Sequence, residues 1–154
     1  MVANYIKDKK FEVKLLDFGL SKVLGSNEKA SEKCGTLYYM SPEVLKNVPY
    51  NKSVDIWSLE IMFYEICSRS FPFTGKGNIS QYSKASKPEI TSLILNNTID
   101  FPNDKWSKFS KAFKDLISKY LLKDSVKRIT IEGIYKHEWM TQMLKETTST
   151  VKKK

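Results

Sequence analysis

The chain is short of cysteine, histidine and long apolar runs, and each shortage excludes something. Of its 154 residues two are cysteines, Cys34 and Cys67, with neither metal-ligand spacing nor a disulfide framework. One histidine, His137, excludes a multi-histidine metal site. No apolar run exceeds a few residues, so no segment reads as a bilayer span. The first 20 residues carry Lys7, Asp8, Lys9, Lys10 and Glu12 and no apolar stretch of signal-peptide length. A cytoplasmic protein without membrane association is the expectation. Acidic residues are also in deficit, 17 against 26 lysines and arginines, for a net charge of +9. The lysines are scattered, with one tight run at Lys152-Lys153-Lys154, and no aromatic residues interleave with them as a stacking platform for nucleic acid requires. A lysine-rich solvated surface is expected, with no nucleic-acid partner.

What is present is core material: 41% hydrophobic and 28% charged residues, the balance of a globular chain. Residues 1–10 are polar and expected irregular. Phe11-Glu12-Val13-Lys14-Leu15-Leu16 alternates and then turns apolar, as a strand entering a core does. It runs into Asp17-Phe18-Gly19, and a loop follows over 25–35. Ser41-Pro42-Glu43 suits a helix start, with Ser41 as N-cap, and Asn47-Val48-Pro49 must stop that helix early. Over 52–67 apolar residues cover nearly the whole circumference of a helix, which marks a central, buried one. Residues 74–88, rich in Gly, Ser and Lys, read as a mobile insertion within a loop from Ser70, followed by a short helix over 89–97. Phe109, Ala112, Phe113, Leu116, Ile117, Tyr120 and Leu121 form one stripe of an amphipathic helix. A last helix spans about Thr130 to His137, with Trp139 and Met140 docking back. Residues 141–154 read as a basic, polar tail, disordered from Lys145 onward.

Asp17-Phe18-Gly19 alone is a weak signal, but four further elements follow it in order: Cys34-Gly35-Thr36-Leu37-Tyr38-Tyr39-Met40 with Ser41-Pro42-Glu43, Asp55-Ile56-Trp57-Ser58 on the buried helix, Lys127-Arg128-Ile129, and His137-Glu138-Trp139. Together they resemble a protein kinase domain over residues 11–140, from its metal-binding tripeptide to its end. Val13 to Lys22, Gly35 to Leu45 and Phe71-Pro72-Phe73 are most similar to the calcium/calmodulin-dependent and calcium-dependent serine/threonine kinases. The fold implied is mainly α, the C-lobe portion of the kinase fold with one or two short N-terminal strands. The cofactors implied for the full-length family are Mg²⁺ and ATP, and the partner is a protein substrate. Asp17 is implied as the magnesium ligand, with Phe18 packed in the core and Gly19 turning the backbone. Thr36 and Tyr39 fall in the activation segment and the wall facing substrate. Glu43 and Arg128 are implied as a buried ion pair, Asp55 as a cap for the catalytic loop, and Trp57 as core. Tyr38 reads equally as a packing aromatic, Ser31 as a phosphorylation site or a plain loop serine, and His137 as structural.

Before Asp17 there is no His-Arg-Asp, no glycine-rich loop and no strand lysine, so no catalytic base is assigned and the chain is expected to be inactive alone and to bind neither ATP nor magnesium. The other expectation is a non-catalytic, kinase-derived binding module. Two departures from the resembled family bear on this: Glu60 stands in place of a glycine on the buried helix, and Arg69 replaces the glycine that closes it.

Overall fold

A computed structural model describes the backbone of residues 2–6, 10–73 and 85–151 and the side chains of 14–73 and 85–146. Strands β1 (Val2–Ile6) and β2 (Lys10–Lys14) form an antiparallel hairpin, with Val2 opposite Lys14 and Ile6 opposite Lys10. Residues 1–10, expected irregular, therefore contain a strand: pairing with β2 supplies the backbone hydrogen bonds that the polar composition did not advertise. A 3₁₀ turn at Leu37–Tyr39 leads to α1 (Pro42–Leu45), then α2 (Ser53–Ser68), α3 (Lys87–Asn96), α4 (Asn103–Trp106), α5 (Lys111–Tyr120), α6 (Ile131–Lys136) and α7 (Glu138–Val151). The molecule is mainly helical, with strands only at its front among the described residues.

The centre is α2, but not on all sides as its apolar circumference led one to expect: Phe63 and Ile66 are 46% and 70% exposed. Trp57 and Ile61 are fully buried, and Tyr64 nearly so. Around them gather Leu45, Phe71, Phe73, Ile90, Ile94, Trp106, Ile117 and Leu121. Trp57 stacks on Phe73 with centroids 5.4 Å apart, and Trp106 sits 4.7 Å from Tyr64 and 4.9 Å from Phe101. These aromatics contribute most of the buried area of the core, with offset contacts adding roughly 0.5–1.5 kcal/mol per pair. A smaller cluster of Ile56, Leu116, Tyr120 and Ile134 joins α5 and α6 to the other face of α2.

Local signals explain most helix boundaries. Ser86 and Glu89 form a reciprocal capping box at α3, Ser110 accepts from Phe113 N–H at α5, and Thr130 accepts from Gly133 N–H at α6. Ser41 occupies the N-cap of α1 but makes no capping bond, and its hydroxyl is buried without a partner. Asn47, in the left-handed region at φ 55°, terminates α1. The expected insertion is shorter on its far side, because Lys87 and Pro88 already belong to α3; residues 74–84 lie outside the described residues.

The tail expectation fails over its described part. Helix α7 runs from Glu138 through Val151, with 152–154 outside the described residues. Its root is held by aromatic contact, Phe113 to Trp139 at 4.7 Å. His137 clamps the same joint: Trp139 N–H donates to Nδ1, leaving Nε2 to donate to Asp115 at 2.9 Å.

Candidate functional site

Of the residues singled out from sequence, Asp17 to Glu43 lie between β2 and α2, Asp55 and Trp57 stand on α2, and Arg128 lies between α5 and α6. Asp17 follows the strand in the left-handed region, φ 63°. Its Oδ1 accepts from Gly19 N–H at 3.2 Å, a short Asx turn, and Ser21 N–H closes onto Phe18 O at 2.9 Å. A Cβ on Gly19 would stand 3.1 Å from Asp17 Oδ1, so a larger residue would crowd this turn. Phe18 does not pack in a core: it is 67% exposed, and Leu15, Leu16, Leu20 and Val23 beside it are exposed as well. The apolar clusters begin only at Leu37, and none of the described residues reaches back to cover this segment.

Further along, the chain is tied to the helices. Gly35, at φ 103°, adopts a backbone that other residues avoid, and so turns the segment toward Thr36. Thr36 caps the 3₁₀ turn through its carbonyl, which accepts from Tyr39 N–H. Tyr39 is anchored at both ends. Its hydroxyl donates to Glu65 at 2.8 Å, and its carbonyl accepts from Ser58 Oγ at 2.8 Å, both on α2. Burial and the Glu65 carboxylate push the Tyr39 phenol up to about 12. Tyr38 packs edge-on against Phe71, centroids 5.8 Å apart.

Glu43 and Arg128 meet as a two-pronged pair: Nη1 donates to Oε1 at 2.7 Å and Nη2 to Oε2 at 2.9 Å. Arg128 also donates to the carbonyls of Leu122 and Ser53 and lies 5.1 Å over the Trp57 ring. Its side chain is wholly buried, so these bonds compensate the desolvation of the guanidinium. Asp55 is exposed rather than buried. It sits in the first turn of α2, where the helix dipole favours a negative charge, while partial desolvation raises its carboxyl above the usual range. It lines a cavity of about 330 Å³ with Leu20, Thr36, Tyr39, Met40 and Ser58.

Glu60 is buried at 2% exposure, with Oε1 unpartnered, and desolvation pushes its carboxyl up to about 8. Arg69 closes α2 in the left-handed region, φ 52°, donating its N–H to Glu65 O.

Two features were missed from sequence. Glu65 was not singled out, yet an acid on an otherwise apolar helix signals a tertiary partner, here Tyr39. Glu32, within the loop expected over 25–35, accepts from Lys22 Nζ at 2.7 Å and from Ser31 N–H at 3.1 Å, and its carbonyl accepts from Tyr50 Oη at 2.7 Å.

A magnesium ion takes six near-octahedral oxygens and is held by one or two carboxylates plus phosphates and water. Asp17 is a single carboxylate with one oxygen engaged by Gly19, and no group of three His, Cys, Asp or Glu side chains converges among the described residues. The donor set does not fit a resident metal, and no chemical step is routed through one.

A sequence model described as the protein kinase domain matches residues 2–140. Its front edge lies nine residues ahead of the expected start at 11 and takes in β1. Myosin light chain kinase A of Dictyostelium discoideum is 35% identical over 149 residues, 96% of this chain and 48% of its own length. Calcium-dependent protein kinase 25 of Arabidopsis thaliana is 35% identical over 86% of this chain and 24% of its own. MAP kinase-activated protein kinase 2 of Drosophila melanogaster is 36% identical over 84% of this chain and 35% of its own. The chain thus spans about half, or less, of the length of these relatives.

Proposed function

The chain belongs to the protein kinase family, and from that premise we propose that it supplies the activation segment and helical scaffold of a serine/threonine kinase domain. The observation that carries this is the double anchoring of Tyr39 to Glu65 and Ser58, next to the Glu43–Arg128 pair. These contacts fix the strip from Thr36 to Glu43 against α2, where a protein substrate would lie beside the cavity.

The family uses ATP and magnesium and acts on proteins. In a complete kinase domain, Asp17 would be one ligand to a magnesium ion whose other ligands come from outside this chain, and Thr36 and Tyr39 would form the wall beyond the accepting hydroxyl. Phosphoryl transfer is positioning plus charge neutralisation, and this chain's part is positioning. The Asx turn aims Asp17, and α2 holds the substrate strip. The proton-accepting aspartate, the phosphate-covering loop and the strand lysine are not among these 154 residues. The chain by itself therefore does not turn over ATP, and the cytoplasm is its proposed location; no helix among the described residues is long and apolar enough to cross a membrane.

The test is a chimera in which residues 11–140 replace the matching segment of calcium-dependent protein kinase 25. Phosphorylation of a serine peptide, abolished by Asp17→Ala, is the expected result; a folded chimera without activity would sink the reading. The isolated chain, with Mg-ATP and a basic peptide, should give no turnover. A non-catalytic binding module is a second reading, favoured by the unpartnered Glu60 in the scaffold helix. It requires that reverting Glu60→Gly fail to improve the activity of the chimera.

A further inference from the structure

Helix α2 ends at a second cavity, about 310 Å³ in volume, that shares no lining residue with the cavity beside Thr36. It lies between the end of α2 and α4, and Cys67, Arg69, Asp104, Lys105 and Lys108 line it. Three cations thus face one carboxylate. The carboxyl end of a helix gathers positive charge because its last carbonyls are negative. Yet α2 is closed by the Arg69 backbone, whose N–H donates to Glu65 O at 2.7 Å, and not by the guanidinium. Among the described residues neither Arg69 nor Lys108 has an ion-pair partner. Lys108 Nζ lies 5.6 Å over the Phe109 ring. Burial and then Glu60 push the Cys67 thiol up, and Lys108 is close enough to pull it the other way. Arg69 itself holds a left-handed backbone, φ 52°, which is costly for an arginine and free for glycine. Strain of this kind collects at binding sites, and here it sets a guanidinium on the wall of a basic cavity.

We propose that this cavity is an anion site that takes a phosphate monoester. The Arg69 fork offers parallel N–H donors to two phosphate oxygens, and Lys105 and Lys108 add compact charges. The cavity is about ten times the roughly 30 Å³ share of one water, room for a phosphate and the group that bears it. Asp104 is the opposing charge and limits affinity. Arg69 and Lys108 are exposed, so binding is salt-sensitive. The site goes beyond the scaffold reading and does not rest on it.

Alkylation of the full chain by iodoacetamide tests the site, because Cys67 lines this cavity and Cys34 lines the other. Inorganic phosphate, compared with chloride at equal ionic strength, should slow the reaction of Cys67 by at least about threefold and saturate, with Cys34 unchanged. Arg69→Gly and Lys108→Gln should each raise the phosphate concentration for half-protection by roughly five- to tenfold. Asp104→Asn should lower it, and Lys127→Gln, away from the cavity lining, should leave it where it is. No protection of Cys67, equal slowing of both thiols, or half-protection unmoved in both Arg69→Gly and Lys108→Gln overturns the proposal. Should Arg69→Gly alter the fold, Lys108→Gln alone decides. A short phosphoserine peptide that protects at lower concentration than inorganic phosphate puts the ester on a protein, and protection by phosphate but not by the peptide puts it on a small molecule. A peptide that protects equally well without its phosphate refutes the site.

Discussion

At the scale of single residues, three side chains break the rules of their surroundings, and each break has a measurable sign. Glu60 is an acid in an apolar site, flanked by Tyr120 and Cys67, whose own protons it helps to retain. Its carboxyl rises from an ordinary 4.5 to about 8. The folded state therefore binds its proton more tightly than the unfolded state. The contribution of this group to stability is greatest below about 4.5, falls as pH climbs from there through 8, and is level above. The full drop is on the order of 5 kcal/mol, taking 1.36 kcal/mol per unit. Urea unfolding at pH 5, 6.5 and 8 should show midpoints sliding downward for the native chain and a much flatter series for Glu60→Gln; parallel series would contradict the assignment. Arg69 pays a left-handed backbone cost that glycine avoids. Arg69→Gly should stabilise by about 1 kcal/mol, read as a raised melting temperature. Arg128 is the third case, because its fork matches the Glu43 carboxylate tooth for tooth. Arg128→Lys keeps the charge but cannot make two parallel bonds, so it should still destabilise by several kcal/mol, roughly 3–5 for outright loss of the partner; a variant with native denaturation behaviour would show that the pair is dispensable.

At the scale of elements, legibility followed periodicity. Helix α2 could be seen because ten apolar residues within sixteen positions leave no polar face, and α5 because its stripe repeats at three and four. The bounds expected for α1, α3 and α6 fall within a residue or two of those observed. The misses share one cause: their stability comes from partners rather than from pattern. Strand β1 exists through its pairing with β2, which a polar stretch of sequence does not record; the docking of Trp139 was legible, but not the helix α7 that continues from it. Phe18 failed in the opposite direction: the tripeptide was legible, but its packing depends on neighbours that the described residues do not supply. The strip over 36–40 was legible as a motif, while its anchor Glu65 was not. The 3₁₀ turn should therefore depend on that anchor. In a double-mutant cycle, Tyr39→Phe and Glu65→Gln should couple by about 1–2 kcal/mol; additive losses would mean that the bond contributes nothing of its own.

At the scale of the whole molecule, the side facing α1 and α2 is well packed and the side carrying residues 15–23 is open. Leu15, Leu16, Phe18, Leu20 and Val23 are each more than half exposed. Five large apolar residues within nine positions form a surface prone to association. Light scattering of the purified chain should rise with concentration, and Leu16→Lys with Phe18→Ser should suppress it; a chain that stays monomeric at high concentration would count against an open face.

The Glu43–Arg128 pair also sets a clock. Its members are 85 positions apart. At a synthesis rate of roughly 5–20 residues per second, the arginine is made about 4–17 s after the glutamate. For that interval α1 has no cation to accompany its acid indoors, and the centre of the molecule cannot close. A ribosome halted anywhere between Lys46 and Lys127 would hold a nascent chain whose later contacts are still missing. Rare codons in that stretch would lengthen its exposure to chaperones and proteases.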